Sequence, residues 1–107
     1  DKTKRPVMGE IAASLSDLVI LTSDNPRTED PEAILDQVAA GFPRGFADYH
    51  REPDRRAAIA LALSLGRAGD VILLAGKGHE TYQEIGKNRL PLDEREEIAS
   101  FFQKSKV

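Results

Sequence analysis

The sequence has no cysteine, no tryptophan and a single methionine in 107 residues, and aromatic residues make up only 6% of it. The missing cysteines exclude disulfides, thiolate zinc sites and cysteine nucleophiles, and fit a reducing compartment. Long apolar runs are also lacking. Nothing approaches the roughly 20 consecutive apolar residues that a membrane-spanning helix needs, so no membrane partner is expected. Basic surplus is lacking too: fifteen Lys+Arg against eighteen Asp+Glu leave a net charge of −3, whereas a nucleic-acid binder normally carries a positive excess. The opening, Asp1-Lys2-Thr3-Lys4-Arg5-Pro6, leads into no apolar leader core. It begins in a charged cluster without an initiator Met, and the chain is therefore expected to be a piece of a longer polypeptide. With 40% hydrophobic residues, one domain with one core is the natural count.

Helix and strand signals alternate along the chain. Pro6 suits a first helical turn, and Val7, Met8, Ile11, Ala12 and Leu15 then recur at helical spacing, which predicts one buried face ending at Ser16-Asp17. Leu18-Val19-Ile20-Leu21 reads as a strand buried on both faces, as in a parallel sheet. A polar loop from Thr22 to Asp30 follows. Asp30-Pro31 is an N-cap with proline at the first helical position, opening a helix that buries Ile34, Leu35, Val38 and Ala39 and stops near Gly41. Residues 46–50 read as a short edge strand. A third helix opens at Pro53 or Asp54, with Ala58, Ile59, Ala62 and Leu63 inward.

Val71-Ile72-Leu73-Leu74-Ala75 reads as a second buried strand, running directly into Gly76-Lys77-Gly78-His79-Glu80. Residues 81–85 and 89–92 flank Gly86-Lys87-Asn88 as a hairpin. Asp93 with Glu96 three residues later resembles a capping box, opening a last helix that buries Ile98, Phe101 and Phe102. The order defines an α/β fold, a mostly parallel sheet flanked by helices with a C-terminal β-hairpin.

Open parallel sheets bind ligands at the carboxyl ends of their strands. Two loops leave such ends, after Leu21 and after Ala75, and if the strands are neighbours the loops face one site. In the first loop, Pro26 fixes its own φ and keeps Asn25 extended, so Asp24-Asn25-Pro26-Arg27 is stiff. Asp24 and Asn25 can accept hydrogen bonds from an ammonium group, and the Arg27 fork suits a carboxylate or phosphate. An Asx-type turn with a solvated arginine accounts for the same residues. In the second loop, glycines permit close backbone approach to a ligand, Glu80 can hold an ammonium and His79 can transfer a proton. A tight turn without a ligand is the alternative, and neither Lys77 nor the glycine spacing matches a Walker A loop. His50 is isolated, and two distant histidines make no metal site. Asp54-Arg55-Arg56 and residues 93–97 read as solvated first turns whose carboxylates complement the helix dipole. Lys2, Lys4 and Arg5 form a basic cluster before a helix, either solvated or facing a phosphate.

Taken together, Lys-Arg-Pro-Val-Met at 4–8, Thr-Ser-Asp-Asn-Pro-Arg at 22–27, Glu-Asp-Pro at 29–31 and Gly-Lys-Gly-His-Glu at 76–80, in this order, resemble the C-terminal domain of the Mur ligases over nearly the whole chain. The segment 24–27 matches the family's diaminopimelate recognition motif. The resemblance implies a Rossmann-like domain spanning residues 1–107, truncated at its N-terminus. It also implies a part in a cytoplasmic, ATP-dependent, amide-forming ligase of peptidoglycan synthesis.

In that family ATP converts the D-glutamate γ-carboxylate of UDP-MurNAc-L-Ala-D-Glu to an acyl phosphate. The amine of meso-2,6-diaminopimelate displaces the phosphate, with Mg2+ offsetting charge. Carried over by motif, Asp24, Asn25, Pro26, Arg27, Gly76 and Glu80 would line the diaminopimelate site. Arg27 would clamp the distal carboxylate, and Glu80 with the Gly76 carbonyl would hold the distal ammonium. Lys2 and Lys4 would lie near the nucleotide phosphates. No catalytic or metal-ligating residue is expected in the chain. The ATP loop, the carbamylated lysine and the UDP site belong to the central and N-terminal domains of the same enzyme, and the family's Gly-Asp-Arg-Asp stretch survives only as Asp1. The fragment alone is therefore expected to be inactive. A lysine-adding sister ligase and a non-catalytic module for an acidic amino acid are the alternatives; a lysine substrate would give Arg27 no carboxylate to clamp.

Overall fold

The computed structural model describes residues 3–75, 82–85 and 87–105. Helix α1 (Arg5–Leu15) leads into strand β1 (Val19–Leu21), followed by α2 (Pro31–Ala39), β2 (Tyr49–Arg51), α3 (Arg55–Leu65), β3 (Tyr82–Ile85), β4 (Asn88–Pro91) and α4 (Glu94–Ser105). β1 and β2 pair in parallel, Val19 opposite Tyr49 and Leu21 opposite Arg51. β3 and β4 form an antiparallel hairpin with Tyr82 opposite Pro91. The α/β class and the parallel pairing follow the sequence pattern.

Local signals place the helix starts. The Asp30 side chain accepts from the Glu32 amide, with Pro31 next in line, and Asp54 accepts from the Arg56 amide. Asp93 accepts from the Arg95 amide at 3.0 Å and begins α4. Each bond satisfies a donor that the first helical turn leaves without an internal partner.

The core forms where β1 meets α2. Val19, Leu21 and Leu35 are buried together, with Ala12, Val38, Ala39, Phe42, Phe46 and Tyr49 packed around them. Phe42 lies with its ring centroid 4.9 Å from that of Phe46 and 4.8 Å from that of Tyr49. On the other side of the chain Ala58, Ile59 and Leu92 are buried. Arg51 ties β2 to α2, its Nη1 donating to Asp36 Oδ1 at 2.7 Å and its Nη2 to the Glu32 carbonyl at 3.1 Å. The Asp36 hydrogen bond raises the Arg51 pKa above the ordinary guanidinium value.

Four readings of the sequence are corrected. Residues 71–75 form no strand: no ladder reaches them among the described residues, and Val71 and Leu73 are 94% and 85% exposed. A strand exists by pairing, and among the described residues no neighbour offers backbone partners. The apolar face of α1 is not buried either. Val7, Met8, Ile11 and Leu15 are exposed, and the helix turns Gly9 inward instead, so close to α2 that a Cβ there would meet the Val38 carbonyl oxygen at 1.9 Å. Backbone approach through a glycine displaced the larger residues from the contact. The second parallel strand begins at Tyr49 rather than Phe46, because the Phe46 ring is taken up by the Phe42–Tyr49 cluster. Phe102 is half exposed, and packs edge-on against Phe101 rather than into the core.

Candidate functional site

The loop after β1 is built from buried supports with polar groups above them. Ser23 is buried, and its hydroxyl donates to the Pro53 carbonyl at 2.7 Å, fixing the loop to the entry of α3. Pro26 is buried as well, and its carbonyl accepts from the Glu29 amide at 3.0 Å, closing a tight turn. Within that turn Arg27 adopts φ 55° and is the one non-glycine residue with positive φ among the described residues. Left-handed backbone costs an L-residue roughly 1–2 kcal/mol, so the surrounding bonds must hold Arg27 there. Its side chain is exposed, while Asp24 and Asn25 are half-buried. Thr22 Oγ1 is buried with no hydrogen-bond partner among the described residues.

Arg5 secures the far end of the loop. Its Nη1 donates to Glu29 Oε2 at 2.9 Å and to Gln37 Oε1 at 2.7 Å, and its Nη2 donates to Glu29 Oε1 at 3.0 Å. This two-pronged grip on a carboxylate raises the Arg5 pKa, the hydrogen bond to Glu29 outweighing the desolvation that lowers it. Arg5 is thus a structural tie between α1, the loop and α2, not a solvated or phosphate-facing cation. Lys4, at the N-cap of α1, is exposed.

The hairpin is joined to the same loop. Arg27 and Ile85 form a parallel bridge, and the buried Gln83 donates through Nε2 to the Ser23 carbonyl at 3.4 Å. The segment following Gly76–Glu80 in the sequence therefore runs beside Asp24–Arg27. The contact comes through the hairpin and not through a β1 ladder to residues 71–75. Gly76, Glu80, Lys77, His79 and Lys2 lie outside the described residues.

Two residues read as solvated are buried instead. Arg55 is 4% and Glu94 8% exposed. Arg55 Nε donates to Glu94 Oε2 at 2.9 Å, and its Nη2 lies 2.8 Å from the same oxygen. The Nη2 also donates to the Ala75 carbonyl at 2.9 Å. Next to it, Arg56 bonds Glu97 and the Pro91 carbonyl. No signal in the sequence announces the Arg55–Glu94 pair: each residue sits at a helix start where charge is ordinarily solvated, and 39 positions separate them. Gln83 and Ser23 were likewise invisible, since their roles arise from the loop–hairpin contact.

A stiffened polar loop at the carboxyl end of a parallel strand, flanked by a hairpin and carrying an exposed arginine, stands where open α/β sheets place their ligand sites. The chain belongs to the Mur ligase, glutamate ligase domain family, which matches residues 1–78. It is 57% identical over 97 residues to the UDP-N-acetylmuramoyl-L-alanyl-D-glutamate--2,6-diaminopimelate ligase of Gloeobacter violaceus, covering 91% of this chain and 20% of the relative. With the protein of the same name from Caldanaerobacter subterraneus it shares 50% identity over 105 residues, 98% of this chain and 22% of the relative. A solved structure of a UDP-N-acetylmuramoyl-L-alanyl-D-glutamate--2,6-diaminopimelate ligase superposes with a TM-score of 0.94 at 42% identity, over 100% of this chain and 22% of that one. The chain spans about a fifth of the length of the curated relatives it matches.

Proposed function

We infer that the chain supplies the diaminopimelate site of an ATP-dependent ligase that extends UDP-MurNAc-L-Ala-D-Glu in peptidoglycan synthesis. Residues 1–107 are then part of the C-terminal, amino-acid-binding domain, and a cytoplasmic setting follows from the nucleotide substrates. The observation that carries this reading is the bond between the 22–27 loop and the hairpin, through Arg27–Ile85 and Gln83–Ser23. It supports a shared neighbourhood for the two polar motifs, because the three chain steps from Glu80 to Gln83 span at most about 11 Å. The names of the relatives support the same assignment.

In this reading Arg27 takes the distal carboxylate of diaminopimelate in its planar fork. Glu80 and the Gly76 carbonyl take the distal ammonium, and Asp24, Asn25 and Pro26 shape the wall. The site's work is to hold the attacking amine against the acyl phosphate formed on the D-glutamate γ-carboxylate, so that phosphate leaves as the amide forms. Among the described residues no group of three or more His, Cys, Asp or Glu can hold a metal ion. In this reading Mg2+, which needs only one or two carboxylates beside the substrate phosphates, and most ATP contacts are assigned to other domains of the ligase. An exposed guanidinium in a strained turn favours diaminopimelate over lysine, whose side chain lacks the second carboxylate.

The test is Arg27→Ala in the full-length polypeptide. The KM for diaminopimelate is expected to rise about a hundredfold, the worth of roughly 3 kcal/mol of charge-assisted hydrogen bonding, with the KM for the UDP-linked dipeptide unchanged. Unaltered diaminopimelate kinetics would remove Arg27 from the site.

A further inference from the structure

We propose that Arg55 and Glu94 are positioning residues for the amino-acid site, the buried pair fixing the Ala75 carbonyl and with it the point where the chain enters Gly76–Glu80. The proposal rests on the functional reading above and adds to it two residues outside the ligand-binding motifs.

Three observations carry it. First, the Nε–Nη2 edge of the guanidinium is committed at close range: Nε and Nη2 both face Glu94 Oε2, at 2.9 and 2.8 Å, and Nη2 also donates to the Ala75 carbonyl at 2.9 Å. A planar fork with one edge on a carboxylate leaves the remaining donor with a fixed direction. Second, Ala75 ends a segment that no ladder holds among the described residues, with Val71 and Leu73 almost wholly exposed. For such a segment the position of the last carbonyl depends on the side chain that grips it. Third, a buried ion pair is a poor way to gain stability alone, since apolar residues of similar volume do as well or better. What an apolar pair cannot supply is a donor for the Ala75 carbonyl.

The anchors of the pair are themselves rigid. Arg55 is the first residue of α3, behind the Asp54 cap, and Glu94 is the first residue of α4, behind the Asp93 cap. Two capped helix starts thus converge on the residue that precedes the glycine motif. A shift of about 1 Å in a binding group placed by such a tie is enough to cost affinity.

The experiment uses the full-length ligase and compares Arg55→Met/Glu94→Met, Arg55→Lys and Glu94→Gln with the parent by thermal midpoint and by KM for each substrate. The double variant is expected to unfold close to the parent while the KM for diaminopimelate rises tenfold or more and that for the UDP-linked dipeptide stays within twofold. Arg55→Lys, whose compact ammonium cannot serve Glu94 and Ala75 with the same geometry, is expected to raise the diaminopimelate KM at least threefold. It carries the test should the double variant fail to fold. A normal diaminopimelate KM in a folded Arg55 variant overturns the proposal. So does a rise in every KM that tracks the fall in midpoint, because that is the mark of a purely structural pair. Glu80→Gln run alongside separates the two readings: loss of diaminopimelate affinity there with none in the Arg55 variants refutes the positioning role alone, whereas no loss in any variant refutes the site as well.

Discussion

Arg27 and Ile85 face each other across a parallel bridge that joins the loop after β1 to the hairpin, and Arg27 makes that contact with its backbone at φ 55°. A left-handed residue other than glycine marks a position where the surroundings impose the conformation. The cost falls on the Cβ, so its removal inverts the usual order of side-chain effects. Arg27→Gly is expected to be more stable than Arg27→Ala by about 1 kcal/mol, although glycine is ordinarily the worse choice. Both lose the guanidinium and should lose diaminopimelate selection equally. Denaturant unfolding of the two variants checks the order, and an alanine variant as stable as the glycine one would mean that the turn relaxes without strain.

Gln83 tests the other strut between loop and hairpin. It is 5% exposed, and its amide nitrogen meets the Ser23 carbonyl. Gln83→Leu removes the donor and leaves that carbonyl short of a partner, at about 1–3 kcal/mol. Gln83→Glu is expected to be worse, since a buried carboxylate beside a carbonyl oxygen is both desolvated and repelled. The expected stability order is Gln, Leu, Glu, read from thermal midpoints. The KM for diaminopimelate should rise in the same order if the strut aligns the binding loop.

The elements that were legible in the sequence are those whose signals are local. The Asp30-Pro31 and Asp54 caps, the Leu35 and Ile59 positions and the hairpin around residues 86–88 follow from turn chemistry and period, and the structure has them. Residues 71–75 failed because β-branched apolar composition states a preference for pairing without supplying the partner. The hydrophobic spacing of α1 is not the face that packs, because the missing side chain of Gly9 decides the contact with α2. Within the candidate site the segment Asp24-Asn25-Pro26-Arg27 stands out in the sequence by type and order. Arg55, Glu94 and Gln83 do not, because a buried polar group gains its meaning from partners distant in sequence.

Arg5 offers a prediction in pH. Its pKa is raised, first by the hydrogen bond to Glu29. A cation whose pKa is higher folded than unfolded gives its full stabilisation below the unfolded value, and loses it only as pH climbs through the folded one. For a guanidinium that window lies in strong alkali. The difference in thermal midpoint between the parent and Arg5→Met should therefore be constant from neutral to moderately alkaline pH. Its size should be modest, about 1 kcal/mol, because Glu29 is partly solvated at 39% exposure. A difference that shrinks across that range would assign the effect to another titrating group.

Gly9 and Gly45 separate close approach from backbone freedom. A Cβ on Gly9 would sit 1.9 Å from the Val38 carbonyl oxygen and 3.0 Å from its carbon, a collision with the backbone of α2 that no side-chain rotation relieves. Gly45 has φ 85° and nothing within 4 Å of its would-be Cβ, so alanine there meets only the left-handed penalty. Gly45→Ala should cost about 1 kcal/mol. Gly9→Ala should cost roughly 3 kcal/mol or more, because α1 must move off α2. The displacement carries a functional consequence that Gly45→Ala lacks: Arg5, on the first turn of α1, would be drawn away from Glu29 at the end of the 22–30 loop. Gly9→Ala is thus expected to lower both the midpoint and diaminopimelate affinity, and Gly45→Ala the midpoint alone. Equal losses in the two variants would contradict the close approach of α1 to α2.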